Sequence, residues 1–329
     1  MAWGWDDNVR EAMEKDQRHP DRFLRLYLEG SQEQMRYRAY AAGLRLRALT
    51  ERYLRYADDS RLQVEGNIEL LRRLGRGGSL WANGRLERRV YPDSTPRNFS
   101  RDAFSIGLGA PCRGGRLNIG TSTRGIDYQR TRRFDRRGQA FTIDYRKPLS
   151  PRWEANAIAE FEWAHWGRSA IKQVTAEAFE LRGDQEDRGR EARFGIQYVR
   201  GWLYGLTLAW GLVRSNSFGY SVTRRSVEGQ VHGWLPGALL FQVRGRVEGV
   251  AFHDRGLGRV FVIRTGEDVE AGQDNNALYL RVRRALSSQL AVEGRASWFR
   301  NESLLIGTHY HKMVGSLGVV WSPIGASDS

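Results

Sequence analysis

The feature that most constrains this chain is a repeated two-residue alternation of apolar side chains with polar or small ones. In 239–249, for example, Phe241 and Val243 alternate with Gln242 and Arg244. Successive side chains of a β-strand point to opposite faces of its sheet, so such a segment has one apolar and one polar face. Several arginine-lined faces do not suit a dry sandwich core, but they suit a water-filled interior. The pattern predicts an all-β fold, an antiparallel up-and-down transmembrane β-barrel.

Composition agrees with this fold and excludes a helical membrane protein. The 329 residues contain no apolar run of the roughly 18 residues that a membrane-spanning helix needs. Mean hydropathy is −0.58, a value expected of a barrel because only every second residue of its strands meets lipid.

Charge leaves two interpretations open. The net charge is +14, and nearly all of it is arginine, which is typical either of nucleic-acid binding or of a genome rich in arginine codons. The barrel pattern favours the second, so we expect no nucleic-acid partner. Cys112 is the single cysteine and lies in a turn. Without a Cys/His cluster, we expect neither a metal nor another cofactor.

Turn residues divide the chain into about 14 predicted strands, an even number as bacterial barrels require. They span 35–51, 61–73, 79–90, 101–110, 116–128, 139–147, 153–165, 191–200, 202–215, 220–234, 238–252, 276–285, 289–300 and 311–322. Short connections alternate with long ones, and in such barrels the short turns are periplasmic. The predicted domains are an N-terminal segment 1–34, a barrel 35–323 and a tail 324–329.

The N-terminal segment has a different character. Helix-forming and charged residues fill Asp7–Asp16 and Asp21–Glu29, with a break at His19-Pro20. We expect two short helices that form either a periplasmic segment or a lumen plug, the alternative being a disordered leader. The first residues lack a secretory signal, so we expect a mature or truncated chain, the alternative being a protein that is not exported.

Tryptophan spacing supports a membrane span. Trp153 and Trp163 lie ten residues apart on one predicted strand, and Trp202 and Trp210 lie eight apart on another. These spans rise roughly 20–25 Å in a tilted strand, which matches the apolar band between two aromatic girdles. The predicted girdles are Trp153, Trp202, Trp234 and Trp321 on the periplasmic side and Trp163, Trp210 and Trp298 on the outer side. Trp81 does not fit a girdle, because its position in the alternation predicts a side chain that points into the lumen.

The last predicted strand carries a resemblance to a protein class. It has a polar residue, a glycine and apolar positions that end in an aromatic, namely Ser316, Gly318, Val319 and Trp321. This pattern resembles the C-terminal assembly signal of Gram-negative outer-membrane β-barrel proteins, although here the chain continues past the aromatic. The resemblance implies an outer-membrane location and contact with the outer-membrane assembly machinery, the lipid bilayer and lipopolysaccharide. It identifies no specific family.

Lumen charge is the main functional clue. The predicted pore-lining residues are Arg85, Arg89, Arg116, Arg124, Arg146, Arg193, Arg244, Arg246, Arg281, Arg283, Arg295, Glu248 and Glu293. Such charges set ion preference, and opposed charges also brace a barrel. We therefore expect a channel or export conduit for polar or anionic solutes. One alternative is a scaffold barrel of an envelope or secretion assembly, with a periplasmic or surface protein partner; the other is an outer-membrane hydrolase.

Catalytic and binding motifs add little to this prediction. His253-Asp254 is the one pairing of a base with a carboxylate, and His309 with His311 is the one candidate metal pair. No motif of the outer-membrane proteases or phospholipases is present, so we expect no enzyme and no catalytic residues. The basic loop Arg130–Arg137 is either a lipopolysaccharide or capsule contact or a solvated loop tip.

Overall fold

The structure is a computed structural model that describes residues 1–7, 9, 19–130, 132–175, 178–253, 276–302 and 309–322. Within these residues sixteen antiparallel strands form one closed barrel, in which β1 pairs with β16 and every other pairing joins strands consecutive in the chain. No α-helix occurs in the same ranges. The strands are β1 Ala2–Asp6, β2 Asp21–Tyr37, β3 Tyr40–Tyr53, β4 Arg61–Arg73, β5 Ser79–Val90, β6 Phe99–Cys112, β7 Gly115–Tyr128, β8 Arg136–Ser150, β9 Trp153–Gln173, β10 Phe179–Arg200, β11 Trp202–Ser215, β12 Val222–Leu235, β13 Leu239–Phe252, β14 Ala277–Ala285, β15 Leu290–Glu302 and β16 His309–Trp321.

The N-terminal segment corrects two predictions. The expectation of an N-terminal helical segment is wrong for 21–29, which belongs to β2, and the strand count rises from about 14 to 16 because β1 and β2 join the wall. Leu24 and Leu26 alternate with Arg25 and Tyr27, which is the two-residue period of a strand. Hydrogen bonds from the neighbouring strands stabilise this extended form, and they outweigh the helix propensity of these residues. The helix expected at 7–16 falls almost wholly outside the described residues.

The short strand β1 closes the barrel. It lies between β16 and β2, with Gly4 opposite both Ser316 and Phe23. At one end of β1 the amino group of Met1 donates to the carbonyl of Val319 at 2.9 Å. Near the other end, Asp6 is 1% exposed and pairs with Lys312 at 3.1 Å.

The strand registers define two faces. A cavity lined by residues of eight consecutive strands, β5 to β12, includes Arg85, Arg124 and Arg224, so the face that carries these residues is the lumen. Residues of the opposite parity are mostly apolar and exposed, for example Leu86 at 68% and Leu317 at 64%. The outer wall is thus apolar and the interior is charged.

The two ends of the barrel differ. At one end the strands are joined by short connections, such as Arg113-Gly114 and Gly201, and left-handed φ values of 47°, 76° and 70° at these residues permit the tight reversals. At the other end the connections are longer. We call these the short-turn end and the loop end.

Candidate functional site: the lumen

All thirteen predicted pore-lining residues lie on the lumen face. Their parity follows from the registers, which place Arg85 opposite Ala103, Ala103 opposite Arg124, and Arg281 opposite Arg295. The registers also bring Arg45, Arg47, Arg61, Arg101, Arg136 and Arg224 to this face. The lumen therefore carries more arginine than the prediction named.

One wall of the lumen is a continuous ladder of ion pairs from β2 to β6. Arg47 bridges Glu29 at 3.4 Å and Glu65 at 3.7 Å. Arg85 then contacts Glu65 at 3.1 Å and Glu87 at 3.2 Å. Glu87 also pairs with Arg89 at 3.3 Å and with Arg101 at 3.6 Å. The alternating charges neutralise one another across five strands and brace this wall.

A second group of pairs spans β7 to β9. Arg124 donates through both terminal nitrogens to Glu160, at 3.0 and 2.8 Å, a bidentate geometry that makes a strong pair. Arg136 contacts Glu162 at 2.7 Å, and the hydroxyl of Thr142 donates to Glu160 at 3.4 Å.

The remaining predicted arginines divide into paired and unpaired groups. The paired ones are Arg146 with Asp144, Arg193 with Glu191, Arg244 with Glu228, Arg246 with Glu248, and both Arg281 and Arg295 with Glu293. Arg116 contacts Ser79 and the carbonyl of Gly77 instead. Among the described residues neither Arg116 nor Arg283 forms an ion pair, and both lie toward the short-turn end.

Two clusters of buried side chains lie on the lumen face near the loop end. Phe23 is 0% exposed and contacts Tyr53 and Val9, while Phe99 and Tyr128 form a neighbouring buried cluster. These lumen-face aromatics come from β2, β3, β6 and β7.

Two cavities lie in the lumen among the described residues. The first, of about 490 Å³, lies toward the loop end between β5 and β12 and is lined by Arg101, Arg136 and Glu191 among others. The second, of about 530 Å³, lies between β12 and β15 and is lined by Arg244 and Arg281 among others. Both are lined by charged side chains together with apolar ones.

Arg168 is a lumen residue that the sequence analysis missed. Its guanidinium lies 4.4 Å from the ring centre of Trp166 and 4.6 Å from that of Tyr220, and its Nε donates to Oε1 of the fully buried Gln185 at 2.7 Å. Asp187 accepts from Gln185 at 3.2 Å and from Trp166 Nε1 at 2.7 Å. The network fixes one cation at the rim of the first cavity. The sequence analysis missed it because the predicted strand ended at 165, whereas β9 continues to Gln173 with the same alternation.

The tryptophans occupy both faces. Trp153, Trp163, Trp202, Trp210, Trp298 and Trp321 have the outer parity. Trp234 lies opposite Leu240, on the parity of Gln230 and His232, which line the second cavity. Its placement among the girdle residues is therefore corrected to a lumen-facing position at the short-turn rim. Trp81 has the lumen parity, as its sequence position indicated.

The residues proposed as the assembly signal occupy both faces of β16. Ser316 and Gly318 face the lumen, whereas Val319 and Trp321 face outward, with Trp321 67% exposed. A Cβ on Gly318 would lie 2.6 Å from the carbonyl oxygen of Met1. The glycine thus has a structural role in admitting β1, separate from any role in assembly.

The remaining candidates form no site in the described part of the chain. The hydroxyl of Thr223 lies 2.6 Å from Nε2 of His253, but Asp254 and the side chain of His309 fall outside the description. Among the described residues no three His, Cys, Asp or Glu side chains cluster as metal ligands. No described helix is long and apolar enough to cross a membrane.

The architecture defines a class. A closed antiparallel barrel with an apolar outer wall, a charged interior, short turns at one end and longer loops at the other is the arrangement of outer-membrane β-barrels. This chain has that architecture.

Comparisons with known proteins concern overall shape. No protein-family model and no curated sequence matches the chain. Among solved structures it is similar to a bacterial polysaccharide outer membrane secretin, with 8% identity, 98% of this chain and 97% of that chain covered, and a TM-score of 0.48. It is also similar to OccK2 (OpdF) of Pseudomonas aeruginosa, with 14% identity, coverage of 97% and 95%, and a TM-score of 0.43. A mutant porin of Rhodopseudomonas blastica has 11% identity, coverage of 97% of each chain and a TM-score of 0.38.

Proposed function

We propose that this barrel is an outer-membrane channel or export conduit for polar and anionic solutes in a Gram-negative bacterium. The observation that carries the proposal is the pair of cavities on the lumen side of β5–β15, both lined in part by charged side chains. The lumen arginines are the selectivity element, and we assign them no catalytic role.

The expected anion preference is modest. A paired arginine presents little net field to a passing ion, and nine of the eleven predicted arginines have a carboxylate within 4.0 Å. Arg116 and Arg283 add positive charge toward the short-turn end. These two residues tip the balance toward anions.

A scaffold barrel is the second candidate, and the ladder from Glu29 to Arg101 is the observation that favours it. A wall braced by charge pairs and capped by buried aromatics suits a rigid membrane part of a larger envelope or secretion assembly. This candidate predicts a protein partner that co-purifies and little conductance.

Single-channel recording separates the two candidates. The protein, refolded in detergent, is inserted into a planar bilayer, and the reversal potential is measured under a salt gradient. Steady conductance with a weak anion preference supports the channel. Stable insertion without conductance supports the scaffold and contradicts the channel.

A further inference from the structure

An aromatic platform lies on the lumen wall toward the short-turn end. Trp81 of β5 lies opposite Gly107 of β6, and Gly107 lies opposite Gly120 of β7. The indole extends along this line, because a Cβ at Gly107 would stand 2.7 Å from its Cε2 and one at Gly120 would stand 2.8 Å from its Cζ2. The ring therefore fills the space of two missing side chains and lies along the wall. Trp81 is only half-buried, so the side of the ring that is turned away from the wall is open to the lumen.

Uncharged polar side chains border the platform on the side of the loop end. Asn83 of β5 lies opposite Ser105 of β6, which lies opposite Ser122 of β7. These three residues form a row on the lumen face, two positions from the line of the indole, which is about 7 Å along a strand. The hydroxyl oxygen of Ser122 is buried and has no hydrogen-bond partner among the described residues. The row thus offers hydroxyl and amide groups to a molecule that lies on the ring.

A second set of polar groups borders the platform on the side of the short-turn end. Three side chains converge over Gly109, where a Cβ would stand 2.5 Å from Oδ1 of Asn118, 2.8 Å from Nη2 of Arg116 and 2.9 Å from Oγ of Ser79. Arg116 donates to Ser79. Glu69 continues the first row onto β4 and supplies a charge of the opposite sign. The border therefore combines amide, hydroxyl and oppositely charged groups, which suits a ligand without net charge.

We propose that Trp81 is a stacking platform for the pyranose ring of a neutral saccharide. A pyranose has an apolar C–H face, which packs on an indole, and a rim of hydroxyl groups, which hydrogen-bond with amide, hydroxyl and charged side chains. An aromatic solute would use the indole but not the polar border, so the saccharide fits the whole site better. The inference rests on the proposed function only in making the saccharide a solute of the channel, since binding requires the folded barrel alone.

The test is saccharide binding to the full-length protein refolded in detergent, read by saturation-transfer NMR. The probes are maltotetraose and cellotetraose, with tetraethylene glycol as a flexible control that has no pyranose ring. Saturation should reach the ring protons of at least one sugar and not the glycol. Trp81→Ala should raise the dissociation constant at least about threefold, because the aromatic contact is lost. Asn83→Ala with Asn118→Ala, which keeps the indole, should also raise it.

A matched variant controls for the loss of a lumen tryptophan. Trp234 also has the lumen parity but lies opposite Leu240 instead of a glycine, so Trp234→Ala should leave sugar binding unchanged. Heat-modifiable migration on gels shows that each variant is a folded barrel. Absence of saturation transfer to both sugars, or equal binding by wild type and Trp81→Ala, would overturn the proposal. Stronger binding of tetragalacturonate than of either neutral sugar would overturn the assignment to neutral saccharides.

Single-channel recording keeps this inference separate from the proposed function. If the channel and the site both exist, the sugar that binds should reduce the ion current of wild type, and Trp81→Ala should need a higher concentration for the same reduction. Sugar binding without conductance would contradict the channel and leave the site intact. Conductance without sugar binding would leave the channel intact and contradict the site.

Discussion

The indole ring of Trp81 lies against Gly107 on the neighbouring strand, so closely that a Cβ at position 107 would stand 2.7 Å from Cε2 of the indole. The same ring also covers Gly120, one strand further on. The lumen accommodates this large ring because the facing residues on the next two strands, Gly107 and Gly120, lack a side chain. The lumen parity of Trp81 was evident in the sequence, but its contact with these two glycines was not.

Gly107→Val should therefore destabilise the barrel. The added side chain would force Trp81 or the backbone to move, and such overpacking costs about 1–3 kcal/mol. The free energy of unfolding in detergent, followed by tryptophan fluorescence in urea, measures the loss. Gly229→Val is the control, since nothing lies within 4 Å of a Cβ there; equal losses in the two variants would refute the explanation.

Asp6→Ala should weaken barrel closure. The carboxylate is buried, accepts from the hydroxyl of Tyr53 at 3.0 Å and pairs with Lys312 at 3.1 Å. Removing one member of a buried pair costs about 3–5 kcal/mol. Urea unfolding measures this cost, and Glu180→Ala, which breaks an exposed pair with Arg182, should cost under about 1 kcal/mol. A stable Asp6→Ala barrel would show that β1 is held by its backbone ladder alone.

Neutralising the acidic partners in the first cavity should raise anion preference. Glu160→Gln with Glu162→Gln would leave Arg124 and Arg136 without these carboxylates, so their positive charge would act on ions in the lumen. The reversal potential should move further in the anion-selective direction, and Arg124→Gln should move it the opposite way. Glu186→Gln, on the outer face, is the control and should not move it.

Brominated lipids should quench the outer tryptophans selectively. Bromine quenches only side chains that it reaches from the bilayer, so Trp163→Phe and Trp210→Phe should each lower the quenchable part of the fluorescence. Trp81→Phe and Trp234→Phe should leave it unchanged, because both residues have the lumen parity. A decrease after Trp234→Phe would show that Trp234 faces the lipid, as a girdle residue does.

Trp321→Ala should lower insertion by the outer-membrane assembly machinery. Its side chain projects outward at the end of β16, where a recognising partner can reach it. Trp298→Ala, on the same face of β15 but near the loop end, is the control. The yield of heat-modifiable barrel in reconstituted assembly vesicles is the measurement, and equal yields would argue against the assembly signal.

The sequence by itself determined the fold class and most of the wall. Where alternation was strong, the predicted bounds match the structure, as for Arg61–Arg73, Ser79–Val90 and Trp202–Ser215. Parity alone placed all thirteen pore-lining residues on one face, because a strand sends alternate side chains to opposite sides whatever its neighbours are.

The tertiary structure decided what depends on neighbours distant in the chain. Five residues at Ala2–Asp6 are too few to show a period, and they are a strand because β16 and β2 supply their hydrogen bonds. Asp21–Glu29 suits a helix by composition, and only pairing with β1 and β3 selects the extended form. Likewise, register and closure decide whether an arginine is paired, as Arg124 is with Glu160 two strands away, or faces outward without an ion pair among the described residues, as Arg214 does. Neither register nor closure can be read from the alternation of a single strand.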